Sequence, residues 1–204
     1  MYRHFGKFLT TALLGAVYSA AAAFGGTVNF DEFTSPPVTC CFADTGVTGP
    51  LIYPNVTIQD GAGGGSVMNS GGWSGMQTSG DNLFGTLTST ISLAFNSPVS
   101  NLAFDVINGS DGAPFAVDLY GPGSSLLASY VLSLTGFTET GSVWNFSSNI
   151  AGVTNAVVTQ NTTGFVDFAI DTVSWTGSDV PEPGTFGLLG AAIVGLGLLR
   201  RRSA

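Results

Sequence analysis

The chain has 204 residues, a formal charge of −8 and only five Lys and Arg with one His. All of these basic residues lie near the ends, as Arg3, His4, Lys7, Arg200, Arg201 and Arg202, so residues 24–180 hold no cationic side chain. That excludes nucleic acid as a partner, since nothing there can neutralise phosphates. It also excludes Ser-His-Asp, Cys-His and Ser-Lys nucleophile systems, and His-rich metal sites, built from this region.

In chain order, Met1 to Lys7 is a basic start, Phe8 to Val17 is apolar, and Ser19 to Ala23 is small-residue rich. This arrangement predicts a secretory signal peptide over residues 1–23, with Ala21-Ala22-Ala23 as the exit before Phe24. The apolar run is too short to span a bilayer comfortably.

Residues 24–179 are the expected exported domain, one ordinary domain in size. They include Asp31, Glu32, Asp44, Asp60, Asp81, Asp105, Asp111, Asp118, Glu139, Asp167, Asp171 and Asp179. With no cation to pair with, a buried carboxylate among them needs hydrogen-bond donors or a metal ion. Cys40 and Cys41 are adjacent. Two buried thiols, a strained vicinal bridge in a turn and an intermolecular bridge all remain open readings.

Alternation with period two marks half-buried strands. Ile91, Leu93 and Phe95 form one such set, followed by Leu102, Phe104 and Val106, by Phe115, Val117 and Leu119, and by Val166, Phe168 and Ile170. Further strands are expected at Val28 to Phe33, Ile52 to Gln59, Leu83 to Leu87, Ser125 to Leu134 and Asn155 to Thr159. Turn chemistry separates them at Asn96-Ser97-Pro98, Asn108 to Gly112, Gly121-Pro122-Gly123 and Asn161 to Gly164. No amphipathic helix is expected, so the domain is mainly β, an antiparallel sandwich or barrel. Gly61 to Gly80 is a glycine-rich stretch long enough for a functional loop. On strand parity Trp175 goes with Asp167 and Asp171, which predicts partial exposure.

Thr176 to Asp179 is a linker, and Gly184 to Leu199 has no charged residue before Arg200-Arg201-Arg202. As a helix that segment would be roughly 24 Å long, enough to span when flanking arginines snorkel. The positive-inside rule keeps the arginines cytoplasmic and the domain outside.

Pro181-Glu182-Pro183, the apolar span and the terminal arginines, in that order, resemble the tripartite PEP-CTERM sorting signal of Gram-negative bacteria, here over residues 180–204. The resemblance implies recognition by an exosortase, a membrane transpeptidase, with processing near Pro181-Glu182-Pro183 and a role at the cell surface with exopolysaccharide. The prolines lack amide hydrogens and stop a helix, so the motif should be extended and accessible. The strands holding Val28 to Phe33 and Phe168 to Val173 are loosely similar to those of jelly-roll carbohydrate-binding modules, which implies a jelly-roll-like β-sandwich. It also implies a structural Ca²⁺ shared by Asp31, Glu32 and Asp171, and hard oxygen ligands suit that ion.

Three functions follow. The first is a non-enzymatic, exosortase-sorted surface or extracellular-matrix protein, anchored through its C-terminal helix before processing. The second is an extracellular polysaccharide-binding module, with Trp73 in the glycine-rich loop as the first candidate sugar contact and Trp144 as the second. The third is a two-carboxylate glycoside hydrolase, the one hydrolytic chemistry that needs neither His nor Lys.

Overall fold

A computed structural model describes residues 25–34, 47–73, 76 and 78–177, with Trp73 described by its backbone alone. The expected signal peptide, Cys40 and Cys41, Pro181-Glu182-Pro183, the apolar span and Arg200 to Arg202 lie outside the described residues. Among the described residues no helix is long and apolar enough to cross a membrane.

Twelve strands and two 3₁₀ turns make up the described chain. The strands are β1 (Gly26–Val28), β2 (Val47–Thr48), β3 (Leu51–Ile52), β4 (Val56–Asp60), β5 (Ser66–Asn69) and β6 (Asn82–Thr86). After them come β7 (Thr90–Asn108), β8 (Ala113–Tyr120), β9 (Leu126–Leu134), β10 (Val143–Ser148), β11 (Val153–Gln160) and β12 (Phe168–Gly177). All pairings are antiparallel, as the alternating sequence requires.

One strand organises the sandwich. The first half of β7 pairs with β4 and β11, whereas its second half pairs with β12 and β10. The chain therefore builds two layers that share β7, one running β3-β4-β7-β11-β8-β9 and the other β2-β5-β6-β12-β7-β10. Strands that bend from one sheet into the other make such corners. The sequence reading put a turn at Asn96-Ser97-Pro98, but β7 continues through it, with Asn101 at a left-handed φ of 49°. Proline lacks an amide donor but still fits an extended strand where the ladder changes partners.

Inward residues of both layers, among them Ile91, Leu93, Phe104, Phe115, Val158 and Phe168, form one core. A second, smaller cluster of Met68, Leu83, Ile107 and Ala169 covers the outer face of the β6-β12-β7 layer, with Met76, Phe137 and Val143 packed on it. The expected single wet face thus fails for this layer, where residues 168–171 are all buried.

Other boundaries also move. The expected Val28 to Phe33 strand ends at Val28, because Asn29 Oδ1 accepts the Asp31 amide and Phe30 turns at φ 64°. Short Asx turns of this kind end strands. Ile52 to Gln59 is a hairpin rather than one strand, closed by the Tyr53 amide donating to the Val56 carbonyl across Pro54-Asn55. The glycine-rich stretch contains β5 and the 3₁₀ turn Ser70–Trp73, and β10 went unforeseen. Trp175 is buried at 5% exposure, because β12 carries one extra residue against β7 between Asp171 and Ser174, where Thr172 has a left-handed φ of 50°. A one-residue slip reverses which face a side chain occupies.

Candidate functional site

The acidic residues are held by neutral donors. Asp171, fully buried on central strand β12, accepts five hydrogen bonds: from the amide (2.9 Å) and hydroxyl (3.1 Å) of Thr78, the amide (2.8 Å) and hydroxyl (2.7 Å) of Ser79, and its neighbour Thr172 amide (2.6 Å). Charge-assisted bonds of this type take the place of the missing cation. Two residues further along the same segment, Asp31 accepts the Asp81 and Asn82 amides at 2.8 and 3.0 Å. Asn82 in turn donates to the Phe30 and Phe33 carbonyls at 3.0 Å each. Residues 78–82 are therefore stapled between β12 and the turn after β1. Gly80 is required there, since a Cβ would fall 1.8 Å from the Asp31 carboxylate.

Of the expected calcium ligands, β1 and β12 do pair, but Asp31 and Glu32 lie in the turn rather than in the strand. Glu32 accepts the Tyr53 hydroxyl at 2.5 Å, and burial together with that carboxylate pushes the phenol's pKa up. Among the described residues no three or more His, Cys, Asp or Glu side chains gather as a metal-ligand group.

Asp105 and Asp171 are direct cross-strand partners on the outer face of their layer. Such partners have Cβ atoms about 5 Å apart, so two carboxylates stand side by side here. Asp171 is enclosed by its five donors, however, and Asp105 is mostly buried, with Asn145 Nδ2 donating to it at 2.6 Å.

At one end of the sandwich, Gln160 donates to Asn108 Oδ1 (3.0 Å) and Ser110 Oγ (2.7 Å) and accepts the Asp167 amide (3.1 Å). Asn108 donates to the Asp111 and Thr135 carbonyls at 3.0 and 2.7 Å. One carboxylate oxygen of Asp167 is buried without a partner, and burial raises its pKa to about 7. These hydrogen bonds tie the loops at this end together.

One open feature among the described residues is a cleft of about 360 Å³ lined by Asn101, Leu102, Ala103, Tyr130, Ser147, Ser148 and Asn149. It is lined from the edge strands β9 and β10 and from the middle of β7. Tyr130 is half-buried, with its ring edge-on to Phe146 at 5.2 Å and 77°, and its hydroxyl 3.0 Å from Ser148 Oγ. Phe146 is itself clamped by Phe104 at 4.8 Å and by Trp144 at 5.4 Å and 90°. Asn101, Ser147 and Asn149 are exposed around the rim, and no charged residue lines the cleft. Trp144 is thus part of the aromatic group behind the cleft. Trp73 belongs to a 3₁₀ turn in the glycine-rich segment, and its side chain lies outside the described residues. Tyr130 escaped the sequence reading because Tyr in an alternating strand reads as ordinary core edge. Its only advance signal was the uncharged segment Leu126 to Leu134 around it.

A family model described as the PEP-CTERM protein-sorting motif matches residues 179–202. No curated protein sequence matches the chain. Among solved structures, the K2 cleaved adhesin domain of Lys-gingipain is similar at 11% identity and TM-score 0.45, covering 74% of this chain and 98% of that one. TmCBM61 in complex with β-1,4-galactotriose follows at 16% identity and TM-score 0.43, covering 62% of this chain and 90% of the other. A family 29 carbohydrate-binding module from Piromyces equi gives 8% identity and TM-score 0.38 over 78% of this chain and 94% of its own. These likenesses are too distant to bear on ligand, and the sandwich described above rests on strand pairing.

Proposed function

We propose that this chain, which carries a PEP-CTERM sorting motif, is an exported, non-enzymatic surface or extracellular-matrix protein processed by an exosortase. The observation that carries the reading is the motif match over residues 179–202, containing Pro181-Glu182-Pro183 and running into Arg200 to Arg202. The domain chemistry supports it. Residues 24–180 lack every cationic side chain, and the described carboxylates with hydrogen-bond partners are engaged by amides, hydroxyls or side-chain amides rather than displayed in a cleft. In this reading the uncharged segment Gly184 to Leu199 holds the precursor in the membrane, with the arginines cytoplasmic.

The test is the intact mass of the protein recovered from a host with an exosortase and from one without it. Loss of residues after Pro181-Glu182-Pro183 only in the first host is the expected result, and an unprocessed tail in both would defeat the reading. Replacing Arg200, Arg201 and Arg202 with Gln should reduce retention of the precursor in the membrane fraction.

A second reading, an extracellular polysaccharide-binding module, is favoured by one observation. The cleft beside Tyr130 joins an aromatic ring to neutral amide and hydroxyl groups, a combination suited to sugar.

A further inference from the structure

We infer that the cleft between β9 and β10 is a binding site for an uncharged oligosaccharide segment, with Tyr130 as the stacking platform and Asn101, Ser147 and Asn149 as the hydroxyl-reading groups. This rests on the polysaccharide-binding reading and narrows it to a site and a ligand class.

The ring comes first. A pyranose has one face of C–H groups that stacks on an aromatic ring and a rim of hydroxyls that both donate and accept hydrogen bonds. Tyr130 is partly exposed and lines the cleft, and its orientation is fixed by the T-shaped contact with Phe146 and by Ser148 at its hydroxyl. A ring already held costs little entropy to use on binding. Ser148 Oγ also accepts the Ile150 amide at 3.3 Å, which anchors the end of β10 beneath the ring.

The rim comes second. Amides and hydroxyls can answer sugar hydroxyls in either direction, as a fixed charge cannot. Ser147 and Asn149 stand exposed at the end of β10. Asn101 faces them from the corner of β7, where its left-handed φ of 49° is held by its Nδ2 donating to Thr176 Oγ1 at 2.9 Å. A non-glycine residue kept in that conformation by its surroundings is the kind of local cost found at binding sites. The volume of about 360 Å³ falls at the small end of ligand pockets, so the cleft takes a short stretch of chain.

Charge decides the class. The cleft lining is neutral and the domain around it carries acids with no cation. A uronate or sulfated glycan would meet repulsion at long range and no partner at contact. A neutral glycan meets neither penalty.

The experiment uses the full-length protein in a zwitterionic, sugar-free detergent, titrated calorimetrically with neutral hexasaccharides of glucose, mannose and galactose, and with hexagalacturonate of equal length. At least one neutral hexasaccharide should bind, hexagalacturonate should bind at least ten-fold more weakly, and Tyr130→Ala should weaken neutral binding ten-fold or more. Tyr130→Phe, which keeps the ring, should retain most of it. Asn149→Ala, an exposed change that leaves the packing alone, should weaken binding several-fold and serves if Tyr130→Ala does not fold. Equal binding of the uronate overturns the ligand class. Neutral binding unchanged by both Tyr130→Ala and Asn149→Ala overturns the site while leaving polysaccharide binding standing. No neutral hexasaccharide binding overturns the inference, and exosortase processing, read separately from intact mass, is untouched by that result.

Discussion

At the residue scale, this domain handles negative charge without positive charge. Asp171 shows how: it takes five donors from Thr78, Ser79 and Thr172 and so fixes residues 78–82 against β12. Asp171→Ala would leave those part-buried amides and hydroxyls without their acceptor, which costs about 1–2 kcal/mol. Thermal unfolding should show a midpoint several degrees lower, whereas Asp171→Asn, which keeps one acceptor oxygen, should lose less. Asp167 is the opposite case, a carboxylate whose burial raises its pKa to about 7 and one of whose oxygens has no donor. Over the window from about 4, the ordinary Asp value, up to about 7, the folded state holds a proton that the unfolded chain has released. Stability from this group is therefore present below pH 4 and is lost as pH rises through 7. Melting midpoints measured from pH 4 to 8 should fall more steeply for the native chain than for Asp167→Asn. Parallel profiles would remove Asp167 as the source.

At the element scale, the closing contact between β1 and β12 depends on a cross-strand pair of glycine and tryptophan. Gly26 lies opposite Trp175, and a Cβ at Gly26 would come within 2.5 Å of the indole ring. Trp175 is held on its other side by Phe95, 5.4 Å away. The ring thus fills the space that a side chain on β1 would take, and covering an edge glycine with an aromatic is a recurrent way to pin register. Gly26→Val should force the indole out of its site and cost about 1–3 kcal/mol, as overpacking does. The near-ultraviolet circular dichroism of Trp175 should change with it, while the exposed neighbour Thr27→Val should leave both signals unaltered. The same pair explains why strand parity misplaced Trp175. Period two tells which residues share a face, but one extra residue in β12 between Asp171 and Ser174 resets the count, and nothing in the residues from Phe168 to Gly177 marks where that bulge occurs.

At the scale of the whole molecule, the sequence by itself determined the features that follow from composition and local spacing. The absence of Lys, Arg and His between residues 24 and 180 excluded nucleic acid and most nucleophile chemistry without any coordinates. The order of Pro181-Glu182-Pro183, apolar span and arginines pointed to the sorting motif that the family match then found at residues 179–202. Alternation located β8 and both halves of β7, because their inward side chains repeat every second position, and the strands expected at Ser125 to Leu134 and Asn155 to Thr159 match β9 and β11 within a few residues. Only the tertiary structure decided that β7 is one bent strand serving two layers, that part of one layer is buried on both faces, and that Tyr130 of β9 lines a cleft with the end of β10. Those outcomes depend on which distant strands pair and on where the ladder shifts. They are set by the packing of side chains far apart in the chain, which a local period does not encode.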